Sequence, residues 1–278
     1  MKRFGVVIVG DEILSGRRTD KHLSKVIELL SARGLQLSWA HYVGDDRAAI
    51  TDVLERTFSG DDVVFVTGGI GATPDDQTRQ AAAAALGVGI APNAEAEMLI
   101  QARIDKMNAE GAMPLPLASP EHKQRMRMGE FPLGAAIIPN PYNQIPGFFL
   151  REHYFVPGFP VMAWPMLEWV LETRYADLFD QAPRAERSVL VFDTAESKVT
   201  PLMEHIEADF ADIKVFSLPS VGEASLANSS DSRVAMRAKR HIELGVKGSV
   251  ERVDAAFEAL EAGLVRLGAP FVRTEEAA

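Results

Sequence analysis

The amino-terminal third of the chain alternates short apolar runs with amphipathic stretches, and this constrains the fold more than any other feature. Phe4–Val9 (FGVVIV) is a continuous β-rich run, the pattern of a strand buried on both faces. Thr19–Arg33 sets Leu23, Val26, Ile27 and Leu30 at helical spacing, and Gly34 ends it. Gln36–Val43 reads as a second strand and Asp46–Phe58 as a second helix. Asp62–Thr67 reads as a third strand and the alanine-rich Asp76–Leu86 as a third helix. Such alternation implies parallel strands with right-handed crossovers, so the expected class is α/β with a doubly wound, mostly parallel sheet.

Farther along, Asn93–Asn108 predicts an amphipathic helix. Met113–Arg151 reads as irregular, with short strands near Ala135–Ile138 and His153–Val156. Pro160–Phe179 predicts a closing helix in which Pro165 sits in the first turns or makes a kink. The polar segment Asp180–Arg187 reads as a linker, which divides a domain over 1–180 from a small α+β domain over 188–274. In the latter, strands are expected at Ser188–Phe192, Lys214–Leu218, Arg233–Leu244 and Phe271–Val272. Helices are expected at Lys198–Phe210 and Ser249–Leu267, giving the ferredoxin-like order βαββαβ before a tail, Thr274–Ala278.

Composition narrows the chemistry. The absence of cysteine excludes disulfide scaffolds, thiolate zinc sites, iron–sulfur clusters and thiol nucleophiles. With 39 acidic against 29 basic residues the net charge is −10, which points away from nucleic acid as the main partner. Arg233, Arg237, Lys239 and His241 would form one basic strand face, and Gly245-Val246-Lys247-Gly248 has the form of an RNA-clamping GXXG loop. Those glycines also read as ordinary punctuation between a strand and a helix, and a docking or dimerisation module is the expectation. Met1-Lys2-Arg3-Phe4 leads into a strand-length run, and the longest apolar stretch, near Val161–Leu171, is interrupted by Pro165 and Glu168. A cytoplasmic protein without a membrane partner is expected.

In a doubly wound sheet, ligands bind beyond the carboxyl ends of the strands. Two loops there are unusually dense: Gly10-Asp11-Glu12-Ile13-Leu14-Ser15-Gly16 after the first strand, and Thr67-Gly68-Gly69-Ile70-Gly71-Ala72-Thr73-Pro74-Asp75-Asp76 after the third. Glycines let backbone amides approach a ligand, and the start of the following helix favours an anion. The loop matches neither a Walker A sequence nor a dinucleotide fingerprint. Thr73-Pro74-Asp75-Asp76 reads equally as a helix cap, with Thr73 capping and Asp76 closing a capping box, or as functional acid; Asp75 is not needed for the cap. Asp11 and Glu12 could be plain surface carboxylates, yet two acidic clusters beside an anion loop suit a hard cation such as Mg²⁺. His122, Lys123, Gln124 and Arg125 are candidates for a second phosphate or a solvated charge run.

These loops, with Val43-Gly44-Asp45-Asp46, resemble the molybdopterin-binding (MoaB/MogA-like) domain family, in the version found at the amino-terminal end of CinA proteins. Pro139-Asn140-Pro141, Pro146-Gly147-Phe148 and Pro157-Gly158-Phe159-Pro160 extend the resemblance over about residues 4–175. It implies a three-layer α/β domain that binds the phosphate of a pterin or nucleotide. It also implies ligand contacts from Gly10, Thr67, Gly68, Gly69, Gly71, Thr73, Asn140, Pro157 and Gly158, and roles for Asp45, Asp75 and Asp76 in positioning water or a cation. Asp11, Glu12 and Asp75 would be the metal ligands. His22 departs from the family pattern, which often has asparagine there. About 100 residues follow Asp180 and look like that family's small KH-like module, so deamidase activity is not expected.

The expected function is binding of a small phosphorylated ligand with metal-assisted hydrolysis of a nucleotide diphosphate such as ADP-ribose, using Mg²⁺, Mn²⁺ or Co²⁺. The alternatives are a non-catalytic molybdopterin- or nucleotide-binding module and a step of molybdenum-cofactor synthesis. A homo-oligomer, dimer or trimer, is expected.

Overall fold

Phe4–Val9 forms β1, and all six of its residues are buried, as a strand covered on both faces requires. The computed structural model describes residues 2–111, 116–117, 119–180, 184–222 and 238–274. After β1 come α1 (Asp11–Leu14), α2 (His22–Ser31), β2 (Leu37–Val43), α3 (Arg47–Phe58), β3 (Val63–Thr67) and α4 (Thr78–Leu86). They are followed by β4 (Ile90–Pro92), α5 (Ala94–Ala109), α6 (Pro120–Met126), β5 (Glu130–Pro132), β6 (Ala136–Ile138), β7 (Gly147–Leu150), β8 (His153–Val156) and α7 (Pro160–Arg174). The chain divides into two compact units, Met1–Asp180 and Gln181–Ala278.

In the first unit six of the described strands form a sheet in the order β2-β1-β3-β8-β7-β6, and β4 and β5 pair with each other in a separate ribbon. β2, β1, β3 and β8 run parallel, and β7 and β6 are antiparallel additions, so the expected doubly wound, mostly parallel sheet is the one observed. Strand alternation sorts the core into two layers. Phe4, Val6 and Ile8 pack with α2 and α7 on one face, while Val7 and Val9 pack with α3 and α4 on the other. The chain leaves β1 for β2 on one side and returns to β3 on the other, which puts the topological switch between β1 and β3.

Several boundaries differ from expectation. α2 begins at His22 rather than Thr19, because Asp20 accepts from the His22 and Leu23 amides at 2.7 and 3.1 Å and sets the first turn. α7 stops at Arg174, with a single 3₁₀ turn, Ala176–Leu178, beyond it. The segment read as irregular holds, besides the expected strand β6, the helix α6, β5 and the hairpin strand β7. Gly147 opens β7 because a Cβ there would lie 2.3 Å from Phe155 O.

The second unit contains β9 (Arg184–Phe192), α8 (Glu196–Asp209), β10 (Lys214–Ser220), β11 (His241–Ser249), α9 (Val250–Leu267) and β12 (Phe271–Arg273). Its sheet is antiparallel in the order β10-β11-β9-β12, the ferredoxin-like arrangement. β9 takes in Arg184–Arg187, so these residues are strand and not linker; residues 181–183 lie outside the described residues. The expected strand Arg233–Leu244 is corrected as well: 233–237, with Arg233 and Arg237, lie outside the described residues, and β11 starts at His241. Gly245-Val246-Lys247-Gly248 is no loop. It lies inside β11, where a Cβ at Gly245 would meet the Phe216 ring at 2.3 Å and Arg187 O at 2.7 Å. Residues 275–278 of the expected tail are likewise outside the described residues. No described helix is long and apolar enough to cross a membrane.

Candidate functional site

The turn after β1 is tied to the end of β2. Gly10 N donates to Val43 O at 3.0 Å. Asp11 N donates to Asp45 Oδ2 at 2.9 Å and Asp45 N to Asp11 Oδ1 at 3.2 Å. Gly44 leaves room for this exchange, since a Cβ there would sit 2.4 Å from Asp11 Oδ1. The Asp45 carboxyl is pushed above its ordinary value, first by burial, then by the negative charges of Asp11, Glu12 and Asp75, against the opposing hydrogen bond from Asp11.

After β3 the backbone turns through Gly68 and Gly69, at φ 99° and 67°. A Cβ at Gly68 would lie 2.4 Å from Val9 O, so only glycine fits between β1 and β3. The loop is clamped from below: Gly68 N donates to Val156 O at 3.0 Å, and Thr78 donates through Oγ1 to Gly68 O and through N to Gly69 O, both at 2.9 Å. Farther round, Asp76 Oδ2 accepts from Thr73 N at 2.8 Å and Thr73 Oγ1 at 2.6 Å. Only the half of the expected capping box in which Asp76 accepts from the Thr73 amide forms, since Asp76 N donates to Thr73 O and not to Thr73 Oγ1, and it closes a separate turn. α4 starts two residues later, at Thr78, because the Gly69 carbonyl engages its first amide. Gly71 O and Ala72 O are held by Arg79 and Gln124. Arg79 is buried and its pKa is lowered by that burial, partly opposed by Asp76 and Glu130, so a positive charge lies under the loop. Asp75 is exposed, its carboxyl held below the ordinary range by Thr73 first.

Beside these loops lies a cleft of about 360 Å³. Its wall includes Glu12, Arg18, Lys21, His22, Thr67 and Gly158. His22 Nε2 bonds to Gly158 O at 3.0 Å, tying α2 to the turn after β8. Gly158 in turn approaches Gly68, where an added Cβ would come within 3.4 Å of the Gly68 Cα. Asp20, below the cleft, also accepts from Tyr42 Oη at 2.9 Å. That hydroxyl is pushed up to about 12 by burial, with Asp20 adding to the shift.

Residues 5–177 match the family described as "Probable molybdopterin binding domain". The chain belongs to this family. The chain is 31% identical over 216 residues to a CinA-like protein of Syntrophotalea carbinolica, covering 74% of this chain and 50% of that one. It is 32% identical over 209 residues to a CinA-like protein of an Anaeromyxobacter species, covering 73% and 48%. The chain thus spans about half the length of the curated relatives it matches. A crystal structure of CinA from Thermoplasma acidophilum, described as of unknown function, shares the fold with a TM-score of 0.52 at 24% identity, covering 62% of this chain and 98% of that one.

Within the molybdopterin-binding domain the named residues separate by surroundings. Thr67 and Gly158 line the cleft; Gly68, Gly69 and Gly71 shape the adjoining loop; Gly10 makes the turn into α1; Pro157 is half-buried beside Gly158. Thr73 is exposed and holds Asp76. Asn140 is buried with its side chain engaged in its own loop, donating to Asn143 Oδ1 and Ile145 O and accepting from Tyr142 N. His122 is buried on α6 and bonded to Gln101 of α5 at 2.8 Å, while its neighbour Gln124 reaches the glycine loop. Carboxylates are the right donors for a hard cation, but among the described residues no group of three or more is placed to hold a metal. Sequence reasoning did not assign Arg18 and Lys21 to the site, and it noted His22 only as a departure. The signal available was the density of Arg17-Arg18-Thr19-Asp20-Lys21 just before a helix.

Proposed function

We propose that the molybdopterin-binding domain holds a small phosphorylated ligand, a pterin or nucleotide phosphate, in the cleft beside Thr67 and Gly158. One observation carries this reading: at the switch point of the sheet, two cationic side chains, Arg18 and Lys21, share a wall with a close-approach glycine turn. Backbone without Cβ atoms lets phosphate oxygens come near, and cationic side chains supply charge-assisted bonds. Calorimetry with pyrophosphate and with ADP-ribose tests it. Arg18→Ala with Lys21→Ala should weaken both by roughly 10-fold or more, and unchanged affinity rules the cleft out as the phosphate site.

A second reading, hydrolysis of a nucleotide diphosphate, is favoured by the acidic group of Asp11, Glu12, Asp45 and Asp75 next to that cleft. A carboxyl raised above its ordinary value, as in Asp45, is a stronger base toward a proton of attacking water than an ordinary surface aspartate. Release of AMP from ADP-ribose, with Mg²⁺, Mn²⁺ or Co²⁺ each added in turn, and its loss in Asp45→Asn and Asp75→Ala, would support this reading. Binding without turnover under all three metals leaves a binding module.

A further inference from the structure

Two polar atoms on residues of the cleft wall are buried and have no partner: Thr67 Oγ1, at the end of β3, and His22 Nδ1, at the start of α2. The two residues are only 1% and 5% exposed. The state of His22 follows from its other nitrogen. Gly158 O can only accept, so Nε2 carries the proton, and in the uncharged ring Nδ1 is a bare acceptor. Buried polar groups are normally paired, and an unpaired one calls for an explanation. The local backbone does not supply it: the first amides of α2 are taken by Asp20, and Thr78, not Thr67, closes the glycine loop.

We propose that His22 and Thr67 together read the uncharged end of the ligand, with His22 Nδ1 accepting from a ring N–H or a sugar O–H and the Thr67 hydroxyl bonding beside it. This rests on the cleft being the phosphate-ligand site. A bare nitrogen lone pair repels phosphate oxygens, so the wall sorts the ligand: the anion lies toward Arg18 and Lys21, and the hydrogen-bond donor toward His22. His22 and Thr67 are then specificity-determining residues, and a ligand without a donor at that end loses affinity because it leaves Nδ1 unpaired.

The test uses the full chain and three probes: ADP-ribose, ribose 5-phosphate and inorganic pyrophosphate. Thr67→Val removes the unpartnered hydroxyl and little else. It should leave the unliganded protein as stable as the parent or more so, weaken ADP-ribose by roughly 10-fold and leave pyrophosphate unchanged. An equal loss for ribose 5-phosphate identifies a sugar hydroxyl as the donor; a loss confined to ADP-ribose identifies a ring N–H. Nitrogen-15 spectra of the histidine rings should show His22 with a bare Nδ1 that shifts on adding ADP-ribose and not on adding pyrophosphate. Three results would each overturn the inference: a destabilised unliganded Thr67→Val, equal weakening of all three probes, or an Nδ1 resonance unmoved by ADP-ribose. Pyrophosphate binding without ADP-ribose binding overturns it while the phosphate site stands; if the parent protein binds none of the probes, both fall.

Discussion

Asp11 and Asp45 hold each other's backbone, each amide donating to the other's carboxylate at 2.9 and 3.2 Å. The exchange locks the turn after β1 to the turn after β2 and brings two negative charges together at the edge of the cleft. Burial first, and then the neighbouring negative charges, raise the Asp45 carboxyl above its ordinary value.

Replacing Asp45 separates the two effects. Asp45→Asn keeps an acceptor for the Asp11 amide and removes the charge, so stability should stay within about 0.5 kcal/mol of the parent. Asp45→Ala removes the acceptor too and should cost about 1 kcal/mol. Urea titrations of both variants measure the difference; equal stabilities would mean that the exchange does not hold the turns.

Gly68→Ala should be among the more damaging single changes in the first unit. The residue has φ 99°, and its Cβ would sit 2.4 Å from Val9 O, a backbone atom of β1 that cannot swing away. A loss of about 3 kcal/mol or more is expected. Gly87→Ala, also at positive φ but with open space around it, should cost only about 1 kcal/mol. Comparable losses at the two positions would refute the close-approach argument.

His153 predicts a pH dependence. Its ring stacks on Phe58 at 3.8 Å, and its pKa is pushed down from 6.5 to about 3, by burial first and then by Arg151. The unfolded chain takes up a proton there near pH 6.5, whereas the folded chain resists until about pH 3. Stability from this group is therefore complete above about pH 6.5 and falls as pH drops through that window, by about 1.4 kcal/mol per unit. Between pH 7 and pH 5 the parent should lose about 2 kcal/mol more than His153→Gln, read by guanidinium unfolding at each pH.

Arg79 offers a readout of the glycine loop. It holds Gly71 O and Arg127 O from a buried position. Arg79→Met should leave both carbonyls unpaired and cost about 1–3 kcal/mol. Hydrogen exchange of the amides from Gly71 to Asp76 should rise more than in β1. Uniform protection across the loop and β1 would mean that Arg79 does not restrain the loop.

How far the sequence reaches depends on the range of the interaction that decides each element. β1 and β3 are legible because burial on both faces leaves a continuous apolar run, and α3 because Asp46 caps it through the Ala49 amide only three residues away. β5 and β7 are not legible, since their three or four residues are defined by partners rather than by pattern. Asp76 shows the boundary within one motif: its bond to Thr73 follows from local spacing, but the start of α4 is decided by the Gly69 carbonyl. His22 was legible only as an oddity, because its partner, Gly158 O, lies 136 residues away.

The bond from Gly68 N to Val156 O has a further consequence for synthesis of the chain. The glycine loop follows β3, yet its anchor is β8, which enters the sheet beside β3 only after every element from α4 to β7 has emerged from the ribosome. A nascent chain ending short of Val156 has the glycines, the acidic turns and the cations, but no floor beneath them. The cleft is thus completed late, with the docking of a single strand.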